Sequence, residues 1–394
     1  MTASDSPTLH QQYVMPTYAP GMTLVRGSGV HLWDDTGREY LDFMAGIAVC
    51  NTGHCHPAVV AAIQQQAATL MHCSNLFHNL VQPRLAQRLS NLTLGGKIFF
   101  CNSGAEANEA LFKLARKWGS QSGRYEIITM KNSFHGRTLA TMTATGQTKY
   151  QKGFEPLMPG FAYAEFNNLD TVRAAVTPAT VAILCEAVQG EGGVVPADPA
   201  FIAGLRALCD EKNLLLLFDE VQCGMGRTGK WFGFQHYGVR PDGFSMAKAL
   251  GGGFPIGAVA VTPELSNVFQ PGNHASTFGG TPLASAAALA VLDTIEKEHL
   301  IENAVRMGAL FMEGLNALAR KHSCIQTVRG LGLMIGVVLS IPAKPVETKL
   351  RENGLLCIAT GDTVLRFVPP LIVTADHIQQ ALEHLDRALS ASAS

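Results

Sequence analysis

Five apolar residues at 214–218 (LLLLF) run without a break into two acids, Asp219 and Glu220. An apolar run of that length bounded by charge reads as a strand buried on both faces, the form a strand takes in a parallel sheet covered by helices. Parallel neighbours can be joined only by long crossovers, usually helical. This one segment therefore commits the chain to an α/β architecture. Ligands of open α/β sheets sit beyond the carboxyl ends of the strands, so Asp219 stands where a site would be built. Phe244, Met246 and Ala247 mark a second short strand, which delivers Lys248 to the same edge, and Gly251, Gly252 and Gly253 follow the lysine.

The same rhythm extends on both sides. Residues 98–100, 127–130, 181–184 and 259–262 read as further apolar strands, and 198–212 reads as a helix returning to the strand at 214–218. The strand–helix–strand order from 98 to 260 predicts a parallel domain with right-handed crossovers. Toward the N-terminus, residues 24–43 read as short strands turning at Asp35-Thr36-Gly37, and residues 1–12 are polar and expected to lack fixed structure. Helical periodicity covers 58–71, 83–92 and 283–296, with Pro57 suited to a first helical turn. Strands are expected at 333–339, 355–358 and 364–367.

A chain of 394 residues exceeds what one core usually covers, so two domains are expected. A net charge of −1 offers no basic excess for neutralising phosphates, which argues against a nucleic-acid partner. The nine cysteines include no CxxC pair, no apolar leader opens the chain and no run of 18 apolar residues occurs. A cytoplasmic protein with reduced thiols is the expectation. His54, Cys55 and His56 lie close together, but no second cluster completes a four-ligand metal site.

An acid and a lysine at two strand ends, with glycines leaving room beside the lysine, suit pyridoxal phosphate (PLP). The amine would make a Schiff base, and the acid would keep the ring nitrogen protonated so that the ring acts as an electron sink. Each residue also has an ordinary reading, Asp219 as a cap or ion-pair partner and Lys248 as a surface charge. Ser103-Gly104-Ala105 turns into a helix, where free N–H groups and the helix dipole suit a phosphate. Ser103 with Glu106 is equally a capping box. Phe134 can stack on a flat ring and Arg137 can fork onto a carboxylate. Arg366 sits on a short apolar strand, and its ordinary reading is a buried ion pair.

The segments DEVQCGMGRTG (219–229) and AKALGGGFPIGA (247–258), with MPTYAP at 15–20, FHGRT at 134–138 and LRFVPPL at 365–371, strongly resemble the class III aminotransferases of PLP fold type I, and among them the acetylornithine group. The resemblance spans nearly the whole chain. It implies a large, mostly parallel-sheet domain at 51–285 and a smaller α+β domain formed from both chain ends, 1–50 and 286–394. It assigns catalysis to Lys248 and Asp219. Cofactor contacts fall to Ser103, Gly104, Ala105 and Phe134, and to Glu220, Val221 and Gln222, with Thr277 reaching the neighbouring site of a homodimer. Substrate contacts fall to Arg137, Glu191, Ser276 and Arg366.

The implied reaction moves the distal amine of N2-acetyl-L-ornithine to 2-oxoglutarate, in arginine biosynthesis. Succinylornithine or succinyldiaminopimelate are the alternative donors, followed by free ornithine or 4-aminobutyrate and by PLP isomerase chemistry. In this chain Ala187 stands where the family commonly has proline, Thr281 precedes Pro282 in place of asparagine, and Leu80-Val81 replace Glu-Pro beside the expected substrate pocket.

Overall fold

The run at 214–218 forms the strand Leu215–Asp219, and all of its residues are buried. It lies at the centre of a seven-stranded sheet. From one edge to the other the order is Ile98–Cys101, Gly257–Val261, Gly243–Met246, Leu215–Asp219, Thr180–Glu186, Glu126–Met130 and Phe161–Ala164. Every neighbouring pair from Gly243–Met246 to Phe161–Ala164 is parallel. Only Gly257–Val261 runs against its neighbours, so the expected mostly parallel sheet is observed. The computed structural model describes residues 6–391.

Register decides what the sheet presents at its carboxyl edge. Asp219 pairs with Glu186 on one side and with Ser245 on the other. Two acids and a hydroxyl thus stand in one row, with Lys248 just beyond. Helices Gly104–Gly119 and Pro199–Lys212 cover the sheet through Leu111, Leu114, Leu205 and Leu208. Each such side chain contributes about 1.5–3 kcal/mol on burial.

The two chain ends meet as the resemblance implies. Leu24–Ser28, His31–Asp34 and Glu39–Asp42 form an antiparallel sheet, and Leu355–Leu356 from the C-terminal part adds a parallel strand to it. Ile325–Leu331, Met334–Leu339, Val364–Phe367 and Ile358–Thr360 form a second four-stranded sheet. The single strand expected at 355–358 is therefore two strands in different sheets, parted at Cys357.

Three other expectations need correction. Ser6–Tyr13 is a helix, although none of its residues is buried; residues 1–5 lie outside the described residues. The strands Phe161–Ala164 and Ile325–Leu331 were not foreseen. The strand–helix–strand alternation also breaks after Asp219, since only a short 3-10 turn, Gly233–His236, lies between that strand and Gly243. The glycines at 224, 226, 229 and 233 disfavour a crossover helix there.

Candidate active site

Asp219 is buried, and both oxygens of its carboxylate accept hydrogen bonds. Asn108 Nδ2 donates to Oδ2 over 2.8 Å, His135 Nδ1 lies 2.8 Å from the same oxygen, and the Val221 amide donates to Oδ1 over 3.0 Å. Neither Asn108 nor His135 was singled out from sequence. Asn108 lies five residues beyond Ser103, and His135 sits between Phe134 and Gly136. Both could have been suspected only by asking which polar groups hold a buried acid at a strand end.

Lys248 takes a left-handed φ of +44° two residues past the end of the strand carrying Ser245. A non-glycine residue held there is strained, and such strain gathers at functional positions. Burial, then the nearby Arg366 guanidinium, lower the lysine pKa to about 8. The turn after it is tight: a Cβ on Gly251 would stand 1.9 Å from the Phe254 carbonyl oxygen.

At the Gly104–Gly119 helix, Ser103 Oγ accepts from the Glu106 amide over 3.2 Å. Glu106 reaches back to accept from the Asn102 amide at 2.6 Å, one residue beyond the usual box partner. The first-turn amides of Gly104 and Ala105 have no partner within their own helix. Phe134 is half-buried, and its amide donates to Glu186 Oε2 over 3.3 Å. Burial, and then the Asp219 charge, push the Glu186 carboxyl well above the usual range.

Arg366 approaches from the C-terminal sheet. Arg366 is 1% exposed. Its Nη1 donates to Glu191 Oε1 over 2.6 Å and to Gln222 Oε1 over 3.1 Å. Burial raises the Glu191 pKa, but the Arg366 charge and hydrogen bond outweigh it and leave the carboxyl below its ordinary value. Gly190 makes room for this arrangement, because a Cβ there would come within 2.2 Å of Gln222 Oε1.

One cleft of about 390 Å³ lies among these groups, and Arg366 does not itself line it but holds Glu191 and Gln222, which do. Ser103, Gly104, Ala105, Phe134, Glu191, Asp219, Val221, Gln222 and Lys248 line it, together with Asn108, His135 and Val49. Other expected residues lie elsewhere. Glu220 turns its carboxylate to the amides of Gly233 and Phe234, both at 2.7 Å, and burial pushes its pKa up to about 8. Arg137 is exposed, with its guanidinium 4.0 Å from the centre of the Tyr150 ring and 5.5 Å from that of Phe134. Ser276 Oγ accepts from Asn102 Nδ2 over 3.2 Å, whereas Thr277 is exposed on the same loop. Among the described residues no group of His, Cys, Asp or Glu is placed to hold a metal; His54 pairs with Asp42 at 2.6 Å and His56 with Glu298 at 3.0 Å.

A buried carboxylate, a buried lysine and helix-start amides with no partner in their own helix, around a slot lined by Phe134 and Phe254, match the donor set that PLP requires: an acid for the ring nitrogen, an amine for the aldehyde and N–H groups for the phosphate. This combination defines a PLP enzyme of fold type I. The family model for aminotransferase class-III matches residues 14–389, and the chain belongs to that family of PLP-dependent aminotransferases.

A protein of Caldanaerobacter subterraneus subsp. tengcongensis named acetylornithine aminotransferase is 52% identical over 388 residues, covering 97% of this chain and 98% of that protein. One of Yersinia pestis, named acetylornithine/succinyldiaminopimelate aminotransferase, is 44% identical over 96% of both chains. The crystal structure of an ornithine aminotransferase from Toxoplasma gondii ME49 superposes with a TM-score of 0.95 at 34% identity, covering 100% of this chain and 96% of that one. No helix among the described residues is long and apolar enough to cross a membrane.

Proposed function

We propose that this chain transfers the distal amine of N2-acetyl-L-ornithine to 2-oxoglutarate, giving N-acetylglutamate 5-semialdehyde and glutamate, as a step of arginine biosynthesis in the cytoplasm. The observation that carries this reading is that Glu191, which lines the cleft with Lys248, pairs at 2.6 Å with the buried Arg366. An enzyme with two unlike amino donors needs a carboxylate clamp that one donor uses and the other does not. The names of the relatives above supply the donor class.

Bound PLP supplies an electron sink and carries the amine between donor and acceptor. Lys248 is read as the residue that holds the cofactor and then moves a proton to and from the substrate carbon, a task suited to an amine with its pKa lowered to about 8. Asp219, oriented by Asn108 and His135, keeps the ring nitrogen protonated. Ser103, Gly104 and Ala105 cradle the phosphate, while Phe134 and Val221 face the ring and Gln222 its phenolic oxygen. Glu220 supports the loop from behind.

Arg137 is read as the ligand for the far carboxylate of both donors, with Ser276 beside it. Glu191 covers Arg366 while the distal-amine donor is bound. When glutamate enters, Glu191 withdraws and Arg366 takes the α-carboxylate. The driving force is that a buried charge stripped of its partner costs about 3–5 kcal/mol.

A homodimer completes the site, with Thr277 of the partner subunit reaching the phosphate. The exposed Leu70, Met71, Leu76, Phe77, Leu80 and Phe278 support this, because apolar groups gathered on two loops favour burial against another surface. The loops are joined by Asn75 Nδ2, which donates to the carbonyls of Ser276 and Gly279. We take 51–285 as the cofactor domain and 1–50 with 286–394 as the smaller one.

Succinylated donors are the second reading, favoured by the dual name of the Yersinia pestis relative. The test is to follow the visible absorbance of the cofactor-loaded enzyme with N2-acetylornithine, N2-succinylornithine and free ornithine. A lead of about tenfold for acetylornithine, ~1.4 kcal/mol of transition-state preference, supports the assignment. A lead for free ornithine overturns it.

A further inference from the structure

Arg227 lies outside the cleft, is fully buried, and takes no part in the roles above. Its side chain joins three parts of the chain. Nη1 donates to the carbonyls of Leu333, at 3.0 Å, and of Pro369; Nη2 donates to Asn51 Oδ1. The contact is reciprocal. The Leu333 amide donates to the Arg227 carbonyl over 3.0 Å, and Asn51 Nδ2 donates to the Met225 carbonyl over 2.8 Å. The main chains meet at contact distance, since a Cβ on Gly332 would stand 2.5 Å from the Thr228 carbonyl carbon.

These anchor points matter for where they lie. Leu333 immediately precedes the strand Met334–Leu339, and Pro369 closely follows its neighbour Val364–Phe367. The two strands are paired, with Gly336 opposite Arg366. Arg227 therefore grips one end of the strand pair that carries the Arg366 clamp. Its own backbone belongs to the loop that begins at Asp219 and holds Gln222, the second acceptor for Arg366. The guanidinium has three neutral oxygens as its hydrogen-bond partners, and its Nε has none among the described residues. A buried cation without a hydrogen-bonded carboxylate is a costly way to fill space. What it provides is a rigid fork with fixed donor directions, which a lysine or an apolar side chain cannot reproduce.

We propose that Arg227 is a positioning residue for the carboxylate clamp: it fixes the distance between Arg366, on the C-terminal sheet, and the loop bearing Asp219 and Gln222. The inference rests on Arg366 binding the α-carboxylate of glutamate, as proposed above. Loosening the fork lets the strand pair shift against the cleft. The half-reaction that uses Arg366 as a ligand suffers, and the distal-amine half-reaction, in which Arg366 stays covered by Glu191, does not.

The test compares Arg227→Lys, Asn51→Ala and Arg366→Ala with the parent as cofactor-loaded enzyme. It measures 2-oxoglutarate binding by calorimetry and each half-reaction per loaded subunit. Arg227→Lys is expected to weaken 2-oxoglutarate binding and the glutamate half-reaction about tenfold while the acetylornithine half-reaction stays within about twofold. Asn51→Ala, which removes one acceptor, moves the same two quantities about threefold. An equal fall in both halves, or unchanged 2-oxoglutarate binding, overturns the proposal in favour of simple packing. If Arg227→Lys does not fold, Asn51→Ala decides in the same way. Arg366→Ala separates the two levels of argument: unchanged 2-oxoglutarate binding in that variant removes the clamp reading itself, whereas loss there with none in Arg227→Lys removes only the role of Arg227.

Discussion

Arg366 Nη1 donates to Glu191 Oε1 over 2.6 Å, and the two residues reach each other from different sheets. Arg366 lies on Val364–Phe367, while Glu191 lies in the turn between Val188–Gln189 and Val195–Pro196. Glu191 is also tied down through its backbone, since Thr360 Oγ1 donates to its carbonyl over 2.9 Å. The side chain can then rotate while the main chain stays fixed, as a gate over Arg366 requires.

Glu191→Gln keeps the shape and removes the charge. It is expected to shift the ratio of half-reaction rates toward glutamate over acetylornithine by about tenfold, ~1.4 kcal/mol. Single-turnover rates measured from the visible spectrum check this. An unchanged ratio would sink the gate.

Lys248→Ala is expected to lower turnover by at least about a thousandfold while the fold persists, because it removes the residue proposed as the base that moves the proton. The cofactor should then dialyse away, with no covalent adduct in the denatured protein by mass spectrometry. Turnover close to that of the parent would refute the role.

The rate at which cofactor-free protein takes up PLP should depend on pH through Lys248. The attacking species is the neutral amine, and the folded pKa is lowered to about 8. The rate is therefore expected to rise as pH rises through about 8 and to level off above it. Arg366→Ala removes a positive neighbour and should move the midpoint upward. A midpoint near 10.5, the unperturbed value, would contradict the burial argument.

His54 and Asp42 form a pair at 2.6 Å between the Glu39–Asp42 strand and the start of the Pro57–Thr69 helix. Burial lowers the imidazole pKa, but the hydrogen bond to Asp42 and further contributions from Cys50 outweigh it and raise the pKa to about 10. A raised folded pKa stabilises fully below the unfolded value of 6.5 and is lost as pH climbs through 10. His54→Gln is expected to cost about 1 kcal/mol at neutral pH, a value reduced for solvent screening, and to lower Tm by about 1 °C in a chain of this length. The difference in Tm between variant and parent should vanish above pH 10, and melting curves at pH 7 and above 10 check it.

The sequence by itself determined the parts that depend on local pattern. A short run of apolar residues ending in two acids reads as a covered strand, so the α/β class, the carboxyl-edge site and the positions of Asp219 and Lys248 were all legible. Ser103 at a helix start was legible too, because a small-residue turn leaves its signature within a few positions. Tertiary structure decided what depends on contacts between distant segments. The split at Cys357 was hidden, since each half of 355–358 pairs with a different sheet. Residues Asn108 and His135 behind Asp219, the turning of Glu220 away from the cleft, and Arg227 on Leu333, Asn51 and Pro369 were hidden for the same reason. A hydrogen bond across a hundred residues leaves no periodicity in the chain; it exists only once the sheets have brought donor and acceptor to within 3 Å of each other.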